Sequence, residues 1–462
     1  MPHDQTFLIL GASGDLTARL LLPGLASLAD SGQSGDLLLI GSSRVDMDEE
    51  EWRGLVRDSV GAGGDASSKL IDSTFYVQAD VTVATQLKGL LERVEGELII
   101  YFALPPEVSI KACEALREIG CPPGTRLAIE KPFGRDEETA AAFNELLTGI
   151  VPESQIFRVD HFLGLSTVLN IVGLRFANRV LEPVLNCHHV ESVEIIWDED
   201  LALEGRAGYY DRAGALIDMI QSHLLQVTAV LAMEPPPAIN AVEVRDGTAR
   251  VLRATSVRDG DPVRFSRRAR YTAGEVDGRA LPSYQDEEGV DPDRETETLA
   301  EVTLEVNTWR WAGVPFLLRS GKALGNPRKE AIINFRKPER TPDGFTGTSS
   351  RNRLRIGLGF GADTLRFELS VNGPGDPRQL ELATMETELG EGHLSEYGEV
   401  LKGVLDGNPT LSVRGDAAVE CWRIIAPVRK AWSEDLVPLE EYPAGSDGPA
   451  GWPDSVSPGS VH

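Results

Sequence analysis

The pattern of apolar and polar positions changes character near residue 183. Between residues 6 and 129, short apolar runs alternate with segments of helical spacing such as residues 49–60 and 108–119. The apolar runs lack a strict two-residue alternation, which is typical of strands covered by helices on both faces. This arrangement predicts a parallel, doubly wound α/β sheet. Its predicted strands are residues 7–10, 37–40, 98–102 and 127–129.

Beyond residue 183 the apolar segments are longer and few helical patterns separate them. This pattern predicts an α+β architecture, with a mainly antiparallel sheet and packed helices. The predicted strands are residues 190–197, 299–311, 329–335, 353–359, 365–371 and 380–387, and the predicted helices are residues 213–233, 395–405 and 416–432. The acidic segment 286–297 predicts a solvated loop. Residues 442–462 are rich in Pro, Gly and Ser and predict a disordered tail.

The length of the chain, 462 residues, exceeds what one hydrophobic core usually supports. Together with the change of pattern, it predicts a Rossmann-like α/β domain at residues 1–180, a fold class that includes the dinucleotide-binding domains. A larger α+β domain is predicted at residues 181–441, followed by the tail at 442–462.

The chain carries 72 acidic and 45 basic residues, for a net charge of −27. A surface of this charge repels nucleic-acid phosphates and anionic membranes, so neither is expected as a partner. The four cysteines form no CxxC pair and no zinc-type spacing with the seven histidines, which indicates reduced thiols and no metal site. No basic segment with a cleavage site precedes the first predicted strand, so we expect a cytoplasmic protein.

A glycine turn links the first predicted strand to a helical segment. The turn reads Gly11-Ala12-Ser13-Gly14-Asp15-Leu16. Such a turn lets backbone N–H groups approach a pyrophosphate at the positive end of the helix. The GxxG spacing differs from the usual GxGxxG, so by itself it favours a nucleotide site no more than an ordinary strand-to-helix turn.

The second predicted strand leads into an arginine, in the segment Gly41-Ser42-Ser43-Arg44. An NAD enzyme usually places a carboxylate here to bind the ribose 2′-hydroxyl. An arginine instead binds a 2′-phosphate with two hydrogen bonds. Arg44 therefore favours NADP over NAD, with a surface arginine as the alternative.

Three further segments carry residues suited to catalysis. They are Ile129-Glu130-Lys131-Pro132-Phe133-Gly134, Arg158-Val159-Asp160-His161-Phe162-Leu163-Gly164 and Asp218-Met219-Ile220-Gln221-Ser222-His223-Leu224-Leu225-Gln226. In order and separation they resemble three signatures of the glucose 6-phosphate dehydrogenase family, namely the EKPFG turn, the DHYLGK motif and the helix ending in NHLLQ. Further similarity runs through residues 101–106, 205–211, 314–324, 396–397 and 413–425. The resemblance spans nearly the whole chain.

The resemblance implies oxidation of glucose 6-phosphate at C1 to 6-phosphogluconolactone, the entry step of the pentose phosphate pathway, with hydride transfer to NADP. His223 would take the proton of the anomeric hydroxyl, which suits a side chain whose unperturbed pKa is about 6.5. Asp160 would orient that ring and stabilise the imidazolium, as the carboxylate does in a hydrolase triad. Lys131, before an implied cis proline at Pro132, would reach both cofactor and sugar.

The resemblance also implies the residues that bind the two small molecules. The implied sugar ligands are His161, Glu199, Asp218 and Lys322. For Glu199, a neighbouring carboxylate in the segment Trp197-Asp198-Glu199-Asp200 is an alternative. The implied cofactor ligands are Gly11, Ser13, Gly14, Asp15, Leu16, Arg44, Tyr101, Lys131 and Pro132. No metal is needed for this chemistry, and a homodimer or homotetramer is implied by resemblance only.

The motif for the substrate phosphate departs from the family pattern. The family reads DHYLGKE, whereas this chain has Phe162 in place of the tyrosine and Leu165 in place of the lysine. A hydrogen bond to a charged group contributes about 1.5–3 kcal/mol, so its loss weakens phosphate binding roughly tenfold to a few hundredfold. Arg328, in a basic loop after Lys322, and Arg175 are the candidates for compensation.

Two alternatives to a glucose 6-phosphate dehydrogenase therefore stay open. One is a dehydrogenase of the same chemistry that acts on an unphosphorylated or differently substituted sugar, because Leu165 makes the pocket more apolar. The other is a catalytically weak, regulatory relative. The retained Lys131, Asp160 and His223 argue against the second alternative, because a binding module needs no base with an orienting carboxylate.

Overall fold

The structure is a computed structural model and describes residues 3–61, 64–205, 207–347, 351–359, 363–373, 375–389 and 394–452. The chain divides into two compact units, each built from three stretches of sequence. The first unit comprises Met1–Leu165, Pro236–Ala249 and Gly392–Trp422, and the second comprises Ser166–Pro235, Arg250–Glu391 and Arg423–His462. The domain limits predicted at residues 180 and 441 stay a prediction.

The first unit contains a six-stranded sheet among its described residues. The strands, in chain order, are β1 Gln5–Leu10, β2 Leu37–Ser43, β3 Thr74–Gln78, β4 Glu97–Phe102, β5 Arg126–Glu130 and β6 Ile156–Val159. They are all parallel and lie in the order β3-β2-β1-β4-β5-β6. The chain therefore winds outward twice from the centre, and the predicted doubly wound sheet is confirmed.

Two strands of this sheet were not predicted, and both lie at its edges. β3 reads TFYVQ with alternating buried and half-buried residues, and β6 reads IFRV with a buried arginine. Edge strands carry polar residues that interrupt an apolar run, so the pattern that identified the four central strands does not extend to these two.

The helices that start at Glu49, Glu137 and Glu396 each begin after a side chain that caps them. The helix Glu49–Val60 starts after Asp48, whose carboxylate accepts the Glu51 N–H at 2.8 Å while the Glu51 side chain accepts the Asp48 N–H at 2.9 Å. Its bounds match the prediction. The α-helices of the described residues are Leu22–Asp30, Glu49–Val60, Asp65–Asp72, Ala84–Leu91, Pro106–Ile119, Glu137–Thr148, Ser166–Phe176, Ala207–Ala215, Leu225–Ala232, Ala241–Arg253, Glu396–Leu405 and Gly415–Ser433.

The second unit contains a mixed but mainly antiparallel sheet of eleven strands among its described residues, as predicted. The strands of this unit are β7 Val190–Asp198, β8 Thr255–Val257, β9 Ser266–Thr272, β10 Gly274–Val276, β11 Arg279–Leu281, β12 Leu299–Val306, β13 Pro315–Gly321, β14 Lys329–Phe335, β15 Thr346–Gly347, β16 Arg353–Gly357, β17 Asp363–Asn372, β18 Gln379–Leu389 and β19 Leu439–Pro443, of which β10 and β11 form a separate pair. The other strands pair in the order β15-β18-β17-β16-β14-β7-β13-β12-β9-β19, with β8 added on β12.

The single strand predicted at residues 299–311 is wrong beyond Val306. β12 ends there, and the chain turns back to run antiparallel as β13. Gly313 has a φ of 80° in this turn, a conformation that favours glycine. The apolar residues Trp311 and Val314 are buried in the turn, which is why the apolar pattern continued past the end of the strand.

A long helical segment lies at the core of the second unit, over residues 207–232. It is the one helix among the described residues that is long and apolar enough to cross a membrane, with a mean hydropathy of 1.4 over its most apolar window. Because 83% of that window is buried inside the protein, the segment also has the character of a core helix.

The predicted disordered tail is wrong for residues 442–452. Tyr442 belongs to β19, pairs with Tyr271 of β9 and is fully buried. Its hydroxyl donates a hydrogen bond to the Lys322 carbonyl at 2.7 Å and lies 2.9 Å from the Thr298 hydroxyl. The Pro, Gly and Ser content reflects tight packing here, since an added Cβ at Gly445 would lie 1.9 Å from the Glu275 carbonyl oxygen. Residues 453–462 lie outside the described residues.

Replacing Tyr442 with alanine is expected to destabilise the second unit, because it removes a buried aromatic ring and its hydrogen bond. Such substitutions cost about 3–5 kcal/mol in well-packed cores. The melting temperature of Tyr442→Ala should therefore fall clearly below that of the wild type in a thermal denaturation. Trp309→Ala, at an aromatic side chain that is 95% exposed, should leave it unchanged. Equal melting temperatures for the wild type and Tyr442→Ala would contradict an ordered role for this segment.

Candidate functional site

In the first unit, the glycine turn lies at the carboxyl end of the central strand β1. Gly11 follows that strand with a φ of 92°, and an added Cβ would lie 2.1 Å from the carbonyl oxygen of Ala103. The Gly14 N–H donates to the Gly11 carbonyl at 3.0 Å and closes the turn. Ser13 and Asp15 are exposed on it. The turn opens a helix that passes through a π-helical stretch, Thr17–Leu21, into Leu22–Asp30.

The position of this turn is the one where doubly wound sheets bind their ligands. The strand order reverses at β1, and a ligand binds beyond the carboxyl ends of the strands at such a reversal. Backbone N–H groups at the start of the following helix suit a pyrophosphate. Gly11 permits a close approach to the end of β4 that any side chain would prevent.

Arg44 lies directly after β2, the neighbour of β1, and its side chain is exposed. Its carbonyl accepts a hydrogen bond from the Gln78 side chain at 3.1 Å. The preceding residue, Ser43, is held in place, because its hydroxyl lies 2.7 Å from that of Tyr76. A fixed backbone with an exposed guanidinium at this edge fits a ligand phosphate.

A half-buried carboxyl group, that of Glu130, lies at the end of β5, next to the cis peptide bond between Lys131 and Pro132. Glu130 accepts hydrogen bonds from the hydroxyls of Tyr101 and Tyr397, the latter at 3.4 Å. Burial raises the pKa of Glu130 to about 7, although the Tyr101 hydroxyl and the Lys131 charge favour the ionised form.

Tyr101 itself is fully buried, and its hydroxyl is committed to Glu130. The predicted contact of Tyr101 with the cofactor is therefore not supported by its position. Its ring packs on Phe7 with 5.9 Å between centroids, so it belongs to the core below the site. Pro132 and Lys131 are half-buried and keep accessible surface.

Asp160 and His161 follow β6, at the same edge of the sheet as the glycine turn. Asp160 accepts the Phe162 N–H at 3.0 Å. Burial raises the pKa of Asp160 to about 6, and the charges of His161 and Lys131 act in the opposite direction. The His161 ring stacks on that of Tyr397, with centroids 5.6 Å apart and planes at 17°. The first unit thus gathers the predicted residues Lys131, Asp160 and His161.

The residues that depart from the family motif are part of the packed interior. Phe162 and Leu165 are each 2% exposed. Between them, an added Cβ at Gly164 would lie 2.6 Å from the Glu396 carbonyl oxygen and 3.0 Å from Val400. Leu165 therefore replaces a charged side chain with buried apolar surface.

In the second unit, Glu199 is the carboxylate that pairs with Lys322, at 2.7 Å. The Trp197 indole N–H donates to the other oxygen of Glu199 at 3.2 Å. The neighbouring Asp198 is 2% exposed and accepts from Arg319 at 3.1 Å. Successive side chains near the end of β7 point to opposite faces, which explains why adjacent carboxylates take different partners.

The two arginines expected to compensate for Leu165 have partners of their own. Arg328 forms an ion pair with Asp198 at 3.7 Å and is partly exposed, so its role as a phosphate ligand stays a prediction. The expected compensation by Arg175 is wrong. Arg175 is 1% exposed and binds the Glu182 carboxylate and the Met233 carbonyl, the latter at 2.7 Å. Its guanidinium therefore links Glu182 to Met233 and has a structural role.

Asp218 and His223 lie on a π-helical segment, Leu216–Leu224. A π-helix forms hydrogen bonds between residues five apart, and such segments occur often at functional sites. Its wider turn brings residues 218 and 223 nearer to one side of the helix than an α-helix would. His223 is 1% exposed and Asp218 is half-buried.

This π-helical segment begins at a buried carboxylate from the predicted acidic loop. Glu297 accepts the Leu216 N–H at 3.0 Å, and an added Cβ at Gly214, where φ is 65°, would lie 2.2 Å from its carboxylate. Burial raises the pKa of Glu297 to about 7. The prediction of a solvated loop is thus wrong at Glu297, which is 8% exposed.

Sequence reasoning missed three residues that support the predicted ones. Glu130 and Tyr397 were within segments that resemble the family, but no pattern indicated that one hydrogen-bonds the other. Tyr442 carried no signal, because its surroundings resemble a disordered tail.

Comparison with known proteins identifies the family. A model described as the NAD binding domain of glucose-6-phosphate dehydrogenase matches residues 8–170, and one described as its C-terminal domain matches residues 172–457. The chain belongs to the glucose-6-phosphate dehydrogenase family. Together the two matches cover nearly the whole sequence.

Relatives in this family match along their full length. The glucose-6-phosphate 1-dehydrogenase of Gluconobacter oxydans is 37% identical, over 96% of this chain and 94% of the relative. A solved glucose-6-phosphate dehydrogenase in complex with its substrate glucose-6-phosphate has a TM-score of 0.87 at 28% identity, over 97% of this chain and 96% of that one. The Mycobacterium avium enzyme has a TM-score of 0.81 at 30% identity, with the same coverage.

Gly11→Ala is expected to weaken NADP binding at least about tenfold, because the added Cβ forces the turn away from Ala103. Isothermal titration with NADP measures the change. Gly32→Ala is the matched control, since Gly32 has a φ of 74° but no atom within 4 Å of an added Cβ. It carries similar backbone strain and should leave NADP affinity unchanged. Equal NADP affinity for the wild type and Gly11→Ala would contradict a role of this glycine turn in NADP binding.

Glu297→Gln is expected to stabilise the protein at pH 8 and to have little effect at pH 5. The folded-state pKa lies above the unfolded value of 4.5, so the buried charge is destabilising above pH 7 and is absent at low pH. The difference amounts to at most about 3 kcal/mol. Melting temperatures at the two pH values measure it, with the exposed Glu295→Gln as control. A lower melting temperature of Glu297→Gln at pH 8 would show that the charge itself is required.

Proposed function

We propose that this chain oxidises glucose 6-phosphate at C1 to 6-phosphogluconolactone and transfers the hydride to NADP. The full-length match to glucose-6-phosphate 1-dehydrogenases carries the proposal. The residues that the chemistry needs support it, since the base, its orienting carboxylate and the lysine are all retained as His223, Asp160 and Lys131.

The first unit offers features that fit NADP. The turn at Gly11 leaves no room for a side chain, and the N-terminus of the helix that follows suits a pyrophosphate. Gly14, Ser13, Asp15 and Leu16 complete that turn. The exposed guanidinium of Arg44 suits the 2′-phosphate that distinguishes NADP from NAD.

In this proposal each residue has one task. His223 takes the proton of the anomeric hydroxyl as the C1 hydride leaves, so that a C=O bond forms and the lactone results. Asp160 stabilises the imidazolium. NADP, when bound, supplies the hydride acceptor.

The ligands of the sugar hydroxyls come from the second unit. Glu199 and Asp218 accept hydrogen bonds from sugar hydroxyls, because carboxylates only accept. Lys322 donates, and its ion pair with Glu199 holds both side chains in place at 2.7 Å. His161 is assigned to the substrate on the resemblance of its motif, and its stacking on Tyr397 fixes the ring.

The buried Phe162 and Leu165 support one competing proposal, a substrate without the phosphate. In the favoured proposal, Arg328 supplies the positive charge that the family places at residue 165. Arg328 is the better of the two candidates, because its side chain keeps accessible surface whereas Arg175 is buried.

We further infer a cytoplasmic location and a homodimer or homotetramer. The family resemblance supports the assembly, and the four free cysteines fit a reducing compartment such as the cytoplasm. The net charge of −27 disfavours nucleic-acid and membrane partners.

The test is NADPH formation by the purified protein with glucose 6-phosphate and glucose titrated side by side at saturating NADP. We expect kcat/KM for the phosphorylated sugar to exceed that for glucose at least about a hundredfold, because the phosphate adds charged hydrogen bonds. Preference for glucose would favour the unphosphorylated substrate. No turnover of either sugar would favour the regulatory relative.

Two histidine variants, one at the proposed base and one at an exposed position, test the proposed proton transfer. His223→Asn should lower kcat by about 10²–10⁴ while NADP affinity stays unchanged, because the variant lacks the base but keeps the nucleotide turn. His189→Asn, at an exposed histidine, should behave as the wild type. Full activity of His223→Asn would remove this residue from the mechanism.

A further inference from the structure

Tyr210 has an environment that differs from those of its neighbouring tyrosines. It lies on the helix Ala207–Ala215 and is 3% exposed. Its ring packs edge-on against Tyr284, with centroids 6.5 Å apart, in a core cluster that includes Leu324. Within the part of the chain that the structure describes, its buried hydroxyl has no hydrogen-bond partner.

The other tyrosines of this cluster all donate. Tyr284 donates to Asp211 at 2.8 Å, Tyr271 to Glu287 at 2.8 Å and Tyr442 to the Lys322 carbonyl at 2.7 Å. Buried hydroxyls in native proteins are nearly always satisfied, because desolvating one without a partner is costly. The hydroxyl of Tyr210 therefore indicates a partner that is not part of the protein core.

The surroundings of Tyr210 indicate the chemistry of that partner. The Lys322 ammonium lies 5.2 Å from the centre of the Tyr210 ring, while it is bound to Glu199. Burial raises the pKa of Tyr210 well above its ordinary value, and the negative charge of Asp218 acts in the same direction. Tyr210 thus lies beside Lys322, whose partner is Glu199, and both of these residues are proposed to bind sugar hydroxyls.

A tyrosine supplies what these carboxylates lack. Glu199 and Asp218 only accept hydrogen bonds, so they engage the hydrogens of sugar hydroxyls and leave the oxygen lone pairs unsatisfied. A sugar hydroxyl that donates to a carboxylate still accepts a hydrogen bond. The Tyr210 hydroxyl is a donor that has no acceptor among the described residues, so it is able to supply this hydrogen bond.

We propose that the Tyr210 hydroxyl donates a hydrogen bond to a ring hydroxyl of the sugar substrate and so contributes to the choice of sugar. This inference rests on the proposed function, and it assigns Tyr210 as a further substrate-binding residue. Sites built to hydrogen-bond a hydroxyl reject analogues that lack it, because a buried polar group is then left unpaired.

Tyr210→Phe tests the proposal, because it removes only the hydroxyl. We expect the KM for glucose 6-phosphate to rise about 3- to 10-fold, as for a neutral hydrogen bond. The kcat should stay within about twofold and NADP affinity should not change, since the bond forms equally in ground state and transition state. The melting temperature should stay equal or rise, since the hydroxyl has no partner in the described protein.

Tyr284→Phe is the matched control. It removes a hydroxyl from the same cluster, but that hydroxyl donates to Asp211. We expect its melting temperature to fall and its KM for the sugar to stay unchanged. A fall in melting temperature for Tyr210→Phe of the same size, with an unchanged KM, would overturn the proposal and show a structural hydroxyl instead.

Deoxy sugars identify the hydroxyl that Tyr210 binds. The ratio of KM between Tyr210→Phe and wild type is measured for glucose 6-phosphate and for its 2-, 3- and 4-deoxy analogues. We expect the ratio to fall to about one for a single analogue, because both partners of the hydrogen bond are then absent. The same ratio for all four sugars would overturn the proposal.

The wild type separates this inference from the function on which it rests. A wild type that neither turns over nor binds glucose 6-phosphate would overturn the proposed function, and this inference with it. A wild type with normal turnover and a Tyr210→Phe variant of identical KM would overturn only the inference.

Discussion

The ion pair between Lys322 and Glu199 is the interaction on which the proposed sugar site of the second unit depends. Burying two charges is unfavourable unless their geometry is good and their remaining hydrogen-bonding groups are satisfied. Here the second oxygen of Glu199 accepts from Trp197, and the Lys322 carbonyl accepts from Tyr442. Glu199 thus fixes the ammonium group of Lys322, and Tyr442, more than a hundred positions away in sequence, fixes its backbone.

Buried carboxyl groups have a different task in each unit. In the first, Glu130 and Asp160 lie beside Lys131 with pKa values raised by burial, and two tyrosine hydroxyls support Glu130. In the second, Glu297 caps the π-helical segment that carries Asp218 and His223. Each of these groups is less stable as a buried charge than it would be in water. Such strain is typical of functional sites, where polar groups are held for chemistry rather than for stability.

Leu165 is a position at which this chain departs from the family, because it replaces the lysine of the phosphate motif. The residues proposed for the cofactor turn, the base and the sugar hydroxyls are retained, whereas Phe162 and Leu165 of the phosphate motif are buried. A buried leucine cannot be exchanged for a lysine without leaving a charge in apolar surroundings. Binding of a substrate phosphate would therefore need charges elsewhere in the protein, and Arg328 already shares its charge with Asp198.

The sequence by itself determined the class of both sheets, the four central strands of the first, the helix start at Asp48 and the family, because periodicity, caps and motifs are local properties of the chain. It did not determine which of Asp198 and Glu199 faces Lys322, that Arg175 is buried against Glu182, or that Tyr442 belongs to a strand. Those outcomes depend on partners far away in sequence. A local pattern specifies that a side chain is buried, but only the folded chain specifies which group it meets, as Asp198 and Arg319 show.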